Sequence, residues 1–279
     1  ERCVMSEAYP NTDELVYWVE TRELARKDYH SVVDPAIKDY RYCNVHRQDD
    51  RVTKYVYNWL SGHEDHRLFV PNILLARLFN QPSTLDVLGY YEDWNPDDAL
   101  QKLHGIEGRT FNAAYIVSTN GLSINKKDYI VRNVLDPVFK HKWDTPHYWF
   151  DQYRTLESYF AELTDFNGVG KFIAGQVIAD LKMFHPWRDA EDYHTFVAPG
   201  PGSMRGLNRL RGLPAKPKKY NQSNFSQHIE VIRDTISVRT GLKLHAQNAQ
   251  NCLCEFDKYM RLKLGEGRPK QRYNIDDSD

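Results

Sequence analysis

The stretch from Leu163 to Ala179 constrains the fold more than any other part of the chain. It opens with Leu163, Thr164, Asp165, Phe166 and Asn167. The pair Gly168 and Gly170 follows, and then a run through Lys171, Phe172, Ile173, Ala174, Gly175 and Ala179. Two glycines one residue apart interrupt a helical pattern, because they admit positive φ and a close backbone approach. Ala174, Gly175 and Ala179 give the following segment a small-residue face on which a neighbour can pack closely. The pattern predicts helix, tight glycine turn, helix. Such a hairpin serves as a plain αα-turn, and its exposed amides can also bind a phosphate; the residues alone leave both uses open.

Elsewhere apolar residues recur at the 3.6-residue spacing far more often than in alternation, which predicts an all-α, mainly helical chain with few strands. A first helix is expected from a cap at Asp13 to about Tyr29, with Leu15, Val16, Trp18 and Val19 among its apolar positions. Further helices are expected over Arg51 to Leu60, Leu68 to Phe79, Thr84 to Leu88 and Pro96 to Leu103. Others are expected over Lys126 to Val138, Leu156 to Leu163, Phe172 to Met183 and Gln227 to Thr235, with a final one from Ala246 to Leu262. Between Pro199 and Asn224 the composition turns to Gly, Pro and basic residues, so an irregular, functional loop is expected there. The reading is a single domain over 1–279 with room for two lobes, the helical glycine hairpin at about 156–183 and the basic loop at about 199–224.

With 41% hydrophobic and 27% charged residues, the 279-residue chain has the composition of a folded globular protein. No apolar run approaches the roughly 18 residues of a membrane span. The opening Glu1, Arg2 and Cys3 show no secretory pattern, so a cytoplasmic location is expected. The 37 basic and 38 acidic residues leave a net charge of -1, so binding to nucleic acid would depend on local charge. Two basic runs supply it. Arg205, Arg209, Arg211, Lys216, Lys218 and Lys219 follow one another with no acid between, and Lys258, Arg261, Lys263, Arg268, Lys270 and Arg272 form the second. Either run serves equally as solvated surface. Cys3, Cys43, Cys252 and Cys254 are too few and too irregular for a disulfide framework. His63 and His66 stand at i,i+3 without a third ligand, and no metal site is expected. Trp143, His147, Tyr148 and Trp149 form an aromatic cluster suited to core packing or to stacking a base.

The glycine hairpin resembles the helix-hairpin-helix of the DNA glycosylase superfamily, which grips the DNA backbone and has a catalytic Asp about 20 residues downstream. Asp192 lies 22 residues beyond Gly170, within Asp192-Tyr193-His194, and Asp189 and Glu191 are rival acids nearby. At the position of the Schiff-base Lys of bifunctional glycosylases this chain has Phe172, so the resemblance does not extend to a lyase reaction. The cysteine spacing of the iron-sulfur members is absent too.

Three more segments narrow the resemblance. The first runs from Tyr40 to Thr53 and is dense in charged and amide groups, the second from Asn72 to Asn80 with Arg77 beside an apolar stripe. The third runs from Asn251 to Tyr259 and is followed by Gly265 to Pro269. Together with Ala198 to Leu207, they are similar to the α-glutamyl/putrescinyl thymine pyrophosphorylases, also described as amino acid:DNA transferases. The helical domain of 5-hydroxymethyl-deoxyuridine DNA kinases is a relative. The resemblance covers roughly Asp34 to Tyr273. It implies a helix-hairpin-helix glycosylase-like architecture and thymine hypermodification in bacteriophage DNA, in the cytoplasm of an infected bacterium. There a phosphorylated 5-hydroxymethyluracil would lose phosphate or pyrophosphate while an amino acid or polyamine becomes attached. The rival readings are a glycosylase excising a modified thymine and a noncatalytic DNA-binding partner of a hydroxymethyluracil DNA kinase. The sequence contains no G-x-x-x-x-G-K-[ST], so a separate, functionally coupled kinase is expected to supply the phosphate.

That chemistry needs cations around a leaving phosphate and a base for the amine. Arg41, Arg47, Arg51 and Arg77 are the candidate phosphate ligands, since guanidinium groups contact phosphate oxygens in pairs; as readily, several pair with Asp49 and Asp50. Asn44 and Tyr40 are the candidate base contacts, although Asn44 also suits a helix cap. Asp192 and Glu255 are the first candidate bases, with Asp50 and Lys258 completing the catalytic set; a Glu255–Lys258 pair also reads as a helix-stabilising salt bridge. DNA contacts are expected at Gly168, Gly170, Lys171, Gly200, Gly202, Ser203, Arg205, Arg209 and Arg211. No cofactor is expected beyond the amine co-substrate, and the sequence is silent on a divalent metal.

Overall fold

The computed structural model describes residues 8–112, 117–141, 154–216, 220–267 and 272. They are mainly helical, and the described residues contain no strand, only an isolated antiparallel bridge between Tyr40 and Arg272. The chain forms two compact units, one from Glu1–Asp50 with His194–Asp279 and the other from Arg51–Tyr193.

The first unit is built on helices Thr12–Lys27, Pro35–Lys38, Pro201–Leu210, Gln222–Thr240 and Ala246–Lys263. Phe225, Ile229, Ile232 and Ile236 are all buried, spaced to put one apolar stripe of Gln222–Thr240 into a core shared with Trp18, Val19, Leu253 and Phe256. Asn221 caps that helix by accepting from the Asn224 amide at 2.8 Å, and Gly241 ends it at φ 73°.

The basic Gly/Pro segment departs from expectation, because Pro201–Leu210 is a helix rather than part of an irregular loop. Pro201 fits the first turn, where its missing N–H costs nothing. Ser203 Oγ accepts from the Gly200 amide at 3.1 Å and donates to the Gly200 carbonyl at 3.0 Å. The glycines serve packing. A Cβ on Gly206 would lie 1.9 Å from the Leu253 carbonyl oxygen, and one on Gly202 would lie 2.4 Å from Cys254 Sγ. Residues four apart share one face, so both glycines open the same side of Pro201–Leu210 to Ala246–Lys263.

The second unit contains helices Arg51–Leu60, Phe69–Phe79, Pro82–Leu88, Pro96–His104, Leu156–Asp165 and Lys171–Leu181, and a continuous helical stretch over 126–140 with a π-helical segment at Ile130–Leu135. Phe69–Phe79 is buried along its whole length, as expected of a helix apolar on nearly all sides. Leu156–Asp165 and Lys171–Leu181 flank the glycine turn. Gly168 adopts φ +84°, and a Cβ there would fall 2.5 Å from Val134 Cγ2, so both backbone conformation and space require glycine.

Candidate functional site

In the first unit the segment from Tyr40 to Asp50 is strapped to Ala246–Lys263 by side chains bonding to backbone. Glu255, which is 5% exposed, accepts the Cys43 amide on Oε2 at 3.1 Å, and Lys258 Nζ donates to the same oxygen at 2.6 Å. Lys258 Nζ also donates to the Arg41 carbonyl at 3.3 Å and lies 5.1 Å from the centre of the Tyr42 ring. Asn251 Nδ2 donates to the Asn44 carbonyl at 2.8 Å. No described residue bonds Glu255 Oε1.

The electrostatics separate the roles of these groups. Burial works against the Lys258 ammonium, but the neighbouring Glu255 carboxylate offsets it and holds its pKa above the ordinary value. Lys258 is therefore a fixed cation at neutral pH. Burial, then Glu255 and Asp50, push the Cys43 thiol well up, and burial with Glu255 raises Cys254 to about 12. Both remain thiols and poor nucleophiles.

Asn44, Tyr40 and Asp50 are drawn into this framework. Asn44 is buried; its side-chain oxygen accepts from Arg22 Nη2 at 2.6 Å, and its amide donates to Asp50 Oδ1 at 2.8 Å. Arg22 Nε also donates to the Cys43 carbonyl at 3.2 Å. The contacts of Asn44 and Asp50 thus fix the strap, and Tyr40 makes the bridge to Arg272. Arg41 and Arg47 are half-buried within the strap, whereas Arg51 opens the first helix of the second unit and is exposed.

Beside the strap, Asp257 is 1% exposed and gathers three guanidinium groups. Arg205 Nε lies 2.9 Å from one of its oxygens, Arg209 Nε 2.8 Å from the other, and Arg261 Nε 3.6 Å away. Arg209 also pairs with Glu266. Three cations against two carboxylates leave one positive charge in surplus, and the Arg205 and Arg261 side chains remain 36% and 35% exposed. Arg209, expected at DNA, is buried at 6% exposure and holds the two helices together. Arg211 donates to the Tyr220 hydroxyl at 3.2 Å. Gly200, Gly202 and Ser203 form the start of the helix rather than an open amide loop. Lys218, Lys219, Arg268 and Lys270 lie outside the described residues, as do Trp143, His147, Tyr148 and Trp149.

The second unit gives two of the expected site residues structural duties. Arg77 is 1% exposed; its Nη2 donates to Asp180 Oδ1 at 2.6 Å, its Nε lies 2.5 Å from Asp180 Oδ2, and its Nη1 donates to Asn80 Oδ1 at 2.9 Å. A buried, bidentate guanidinium of this kind is engaged by its carboxylate, at a residue the sequence offers as a phosphate ligand. Asp192 Oδ1 and Oδ2 accept the amides of Leu156 and Glu157 at 2.7 and 2.9 Å, neutralising the start of Leu156–Asp165. Its rival Asp189 pairs with His185. Gly170 and Lys171 are exposed at the glycine turn, next to Phe172 at 45% exposure.

Sequence reasoning missed Lys182. This side chain is 3% exposed, donates to the Tyr193 carbonyl at 2.7 Å, and is driven by burial down to about 7 despite the attraction of Asp192. One basic residue at the end of an apolar helix gave no signal of that burial. Among the described residues no cluster of His, Cys, Asp or Glu is arranged to hold a metal, and His63 instead stacks on Tyr90 at 3.9 Å. No described helix is long and apolar enough to cross a membrane.

The family described as 5-hmdU DNA kinase, helical domain, matches residues 12–268. A 5-hmdU DNA kinase of Bacillus phage SP10 is 24% identical over 296 aligned residues, which cover 88% of this chain and 44% of the phage protein. The chain therefore spans less than half the length of that relative. No solved structure matches.

Proposed function

The chain belongs to the 5-hmdU DNA kinase helical-domain family, and from that premise we propose that it is a transferase of thymine hypermodification. In this reading it acts on phosphorylated 5-hydroxymethyluracil in phage DNA, within the host cytoplasm, and replaces the phosphate or pyrophosphate with an amino acid or polyamine. The amine nitrogen forms a bond to the C5 methylene, the bond from that carbon to the phosphate oxygen breaks, and phosphate leaves with the electron pair. The amine proton passes to a carboxylate.

The observation that carries the reading is the pairing of one buried carboxylate with a fixed cation beside surplus guanidinium charge. Glu255 is held by Cys43 and Lys258 through one oxygen while no described residue bonds the other. Arg205 and Arg261 stand partly exposed around Asp257 on the same pair of helices. In the proposal Glu255 accepts the amine proton, and Lys258, Arg205 and Arg261 stabilise the departing phosphate. Glu255 is preferred to Asp192 because both Asp192 oxygens already cap a helix. Arg41 and Arg47, carried by the strap, remain candidate phosphate contacts, and Gly168, Gly170 and Lys171 candidate DNA contacts on a glycosylase-like frame. The kinase named in the relative fits a reaction that supplies the phosphorylated base, since these 279 residues contain no P-loop motif.

Nucleoside mass spectrometry of DNA bearing phosphorylated 5-hydroxymethyluracil, incubated with the protein and a panel of amino acids and polyamines, tests this directly. One amine adduct in an intact strand is the expected product. A free base with an abasic site would replace the reading with a glycosylase, and unchanged DNA that is still bound would replace it with a noncatalytic DNA-binding role.

A further inference from the structure

We propose that the second unit contains a recognition site for a small zwitterion, a molecule carrying an ammonium and a carboxylate a few bonds apart. The site is a cavity of about 480 Å³ whose lining includes Tyr57, Glu64, Asp65, Phe184, His185 and Arg188. That volume lies in the range of small-molecule pockets and exceeds what one amino acid needs.

The lining is of mixed charge, and its parts are held in place. Glu64 Oε2 accepts the Gly62 amide at 2.8 Å, which fixes one carboxylate. On the other segment the Arg188 amide donates to the Phe184 carbonyl at 2.9 Å, which orients the turn carrying the guanidinium. Among the described residues neither Glu64 nor Arg188 has an ion-pair partner, whereas His185 is engaged by Asp189 at 2.9 Å. The apolar part is rigid: Tyr57 stacks on Phe184 at 4.9 Å, Phe184 meets the edge of Phe69 at 5.1 Å, and Phe69 stacks on Trp187 at 5.4 Å.

These groups select a ligand class by charge. Glu64 and Asp65 attract an ammonium and repel a free phosphate or a simple carboxylate. Arg188 repels a polyamine and offers a carboxylate two parallel hydrogen bonds. The Tyr57 ring, 40% exposed, supplies a surface for the carbon skeleton and favours a cation above it. A ligand with both charges satisfies the whole lining, and an α-amino acid is the simplest such molecule. The binding inference stands on the cavity; the step from bound zwitterion to amine donor rests on the proposed transfer.

The test is calorimetric titration of the full chain with the common α-amino acids, using putrescine, acetate and inorganic phosphate as single-charge probes. At least one amino acid is expected to bind saturably, and E64Q and R188M each to weaken it about tenfold or more, as loss of a charged hydrogen bond does. The three single-charge probes are expected to bind at least about tenfold more weakly. Glu64 is partly exposed and Arg188 exposed, so neither belongs to the core, and thermal melts of the variants verify folding. Absence of saturable amino acid binding, equal binding of a single-charge probe, or unchanged affinity in folded E64Q and R188M overturns the site. Transfer that continues in R188M with an unchanged KM for the amine overturns the step from bound zwitterion to amine donor and leaves the transferase reading. Binding without transfer leaves the site and overturns the transferase reading.

Discussion

Glu255 holds the Cys43 amide at 3.1 Å through the same carboxylate oxygen that accepts Lys258 Nζ at 2.6 Å. One buried acid thus ties residues 212 positions apart in sequence and keeps a cation beside them. The arrangement makes Glu255 a joint between the charged strap and the C-terminal helix as well as the proposed base.

E255Q separates those duties. The amide can still accept from Cys43 but cannot take a proton, so transfer is expected to fall about 100-fold or more. Losing the charge opposite Lys258 is expected to cost about 1–3 kcal/mol of stability, read by denaturant unfolding. DNA affinity is expected to persist. Wild-type turnover in E255Q would remove the residue from the chemistry.

The Arg77–Asp180 pair predicts a stability phenotype without a DNA phenotype. R77M leaves a buried carboxylate unpartnered by its guanidinium, at a cost of about 3–5 kcal/mol. In any folded fraction the salt dependence of DNA binding should keep its slope, since each phosphate contact contributes to it. A shallower slope with an unchanged melting temperature would return Arg77 to the phosphate.

Gly206 and Gly202 predict a graded pair. In G206A the new Cβ meets the Leu253 carbonyl oxygen, and the two helices must separate; a loss of about 3 kcal/mol or more is expected. In G202A it meets the Cys254 side chain, which can rotate, so the loss should be smaller. Melting temperatures of the two variants compare them, and an equal loss would show that the Leu253 backbone yields.

Much of the helical framework was legible because apolar spacing records it. Arg51–Leu60 appears as its period predicts, and Gln222–Thr240 extends beyond its expected ends. Pro201–Leu210 was hidden by its own glycines, which read as loop formers although they serve close helix contact. The i,i+3 relation of Glu255 and Lys258 was visible, and their strap partners were not, since Cys43 and Arg41 are remote in sequence. The partner of Arg77 is hidden for the same reason: Asp180, its counter-charge, lies 103 residues away. Asp192 looked catalytic by position, while the amides it caps belong to residues about three dozen positions earlier.

Lys182 predicts a pH dependence of stability. Its folded pKa of about 7 lies below the ordinary 10.5, so between those values the unfolded chain binds more protons than the native one. Stability should therefore rise with pH across that window, by at most about 1.4 kcal/mol per pH unit from this group, and the penalty should be fully present below about pH 7. K182M removes the titration and is expected to flatten the slope between pH 7 and 10 in chemical denaturation. An identical slope in K182M would place the titration elsewhere.

Group transfer at phosphorylated 5-hydroxymethyluracil has a stoichiometric signature. Released phosphate and amine incorporated into DNA are to be counted in the same time course, with strand integrity followed in parallel. Equal molar amounts of amine adduct and leaving group, phosphate or pyrophosphate, are expected at every time point, with no abasic sites. Release of base without amine incorporation, or loss of phosphate that leaves 5-hydroxymethyluracil behind, would contradict group transfer.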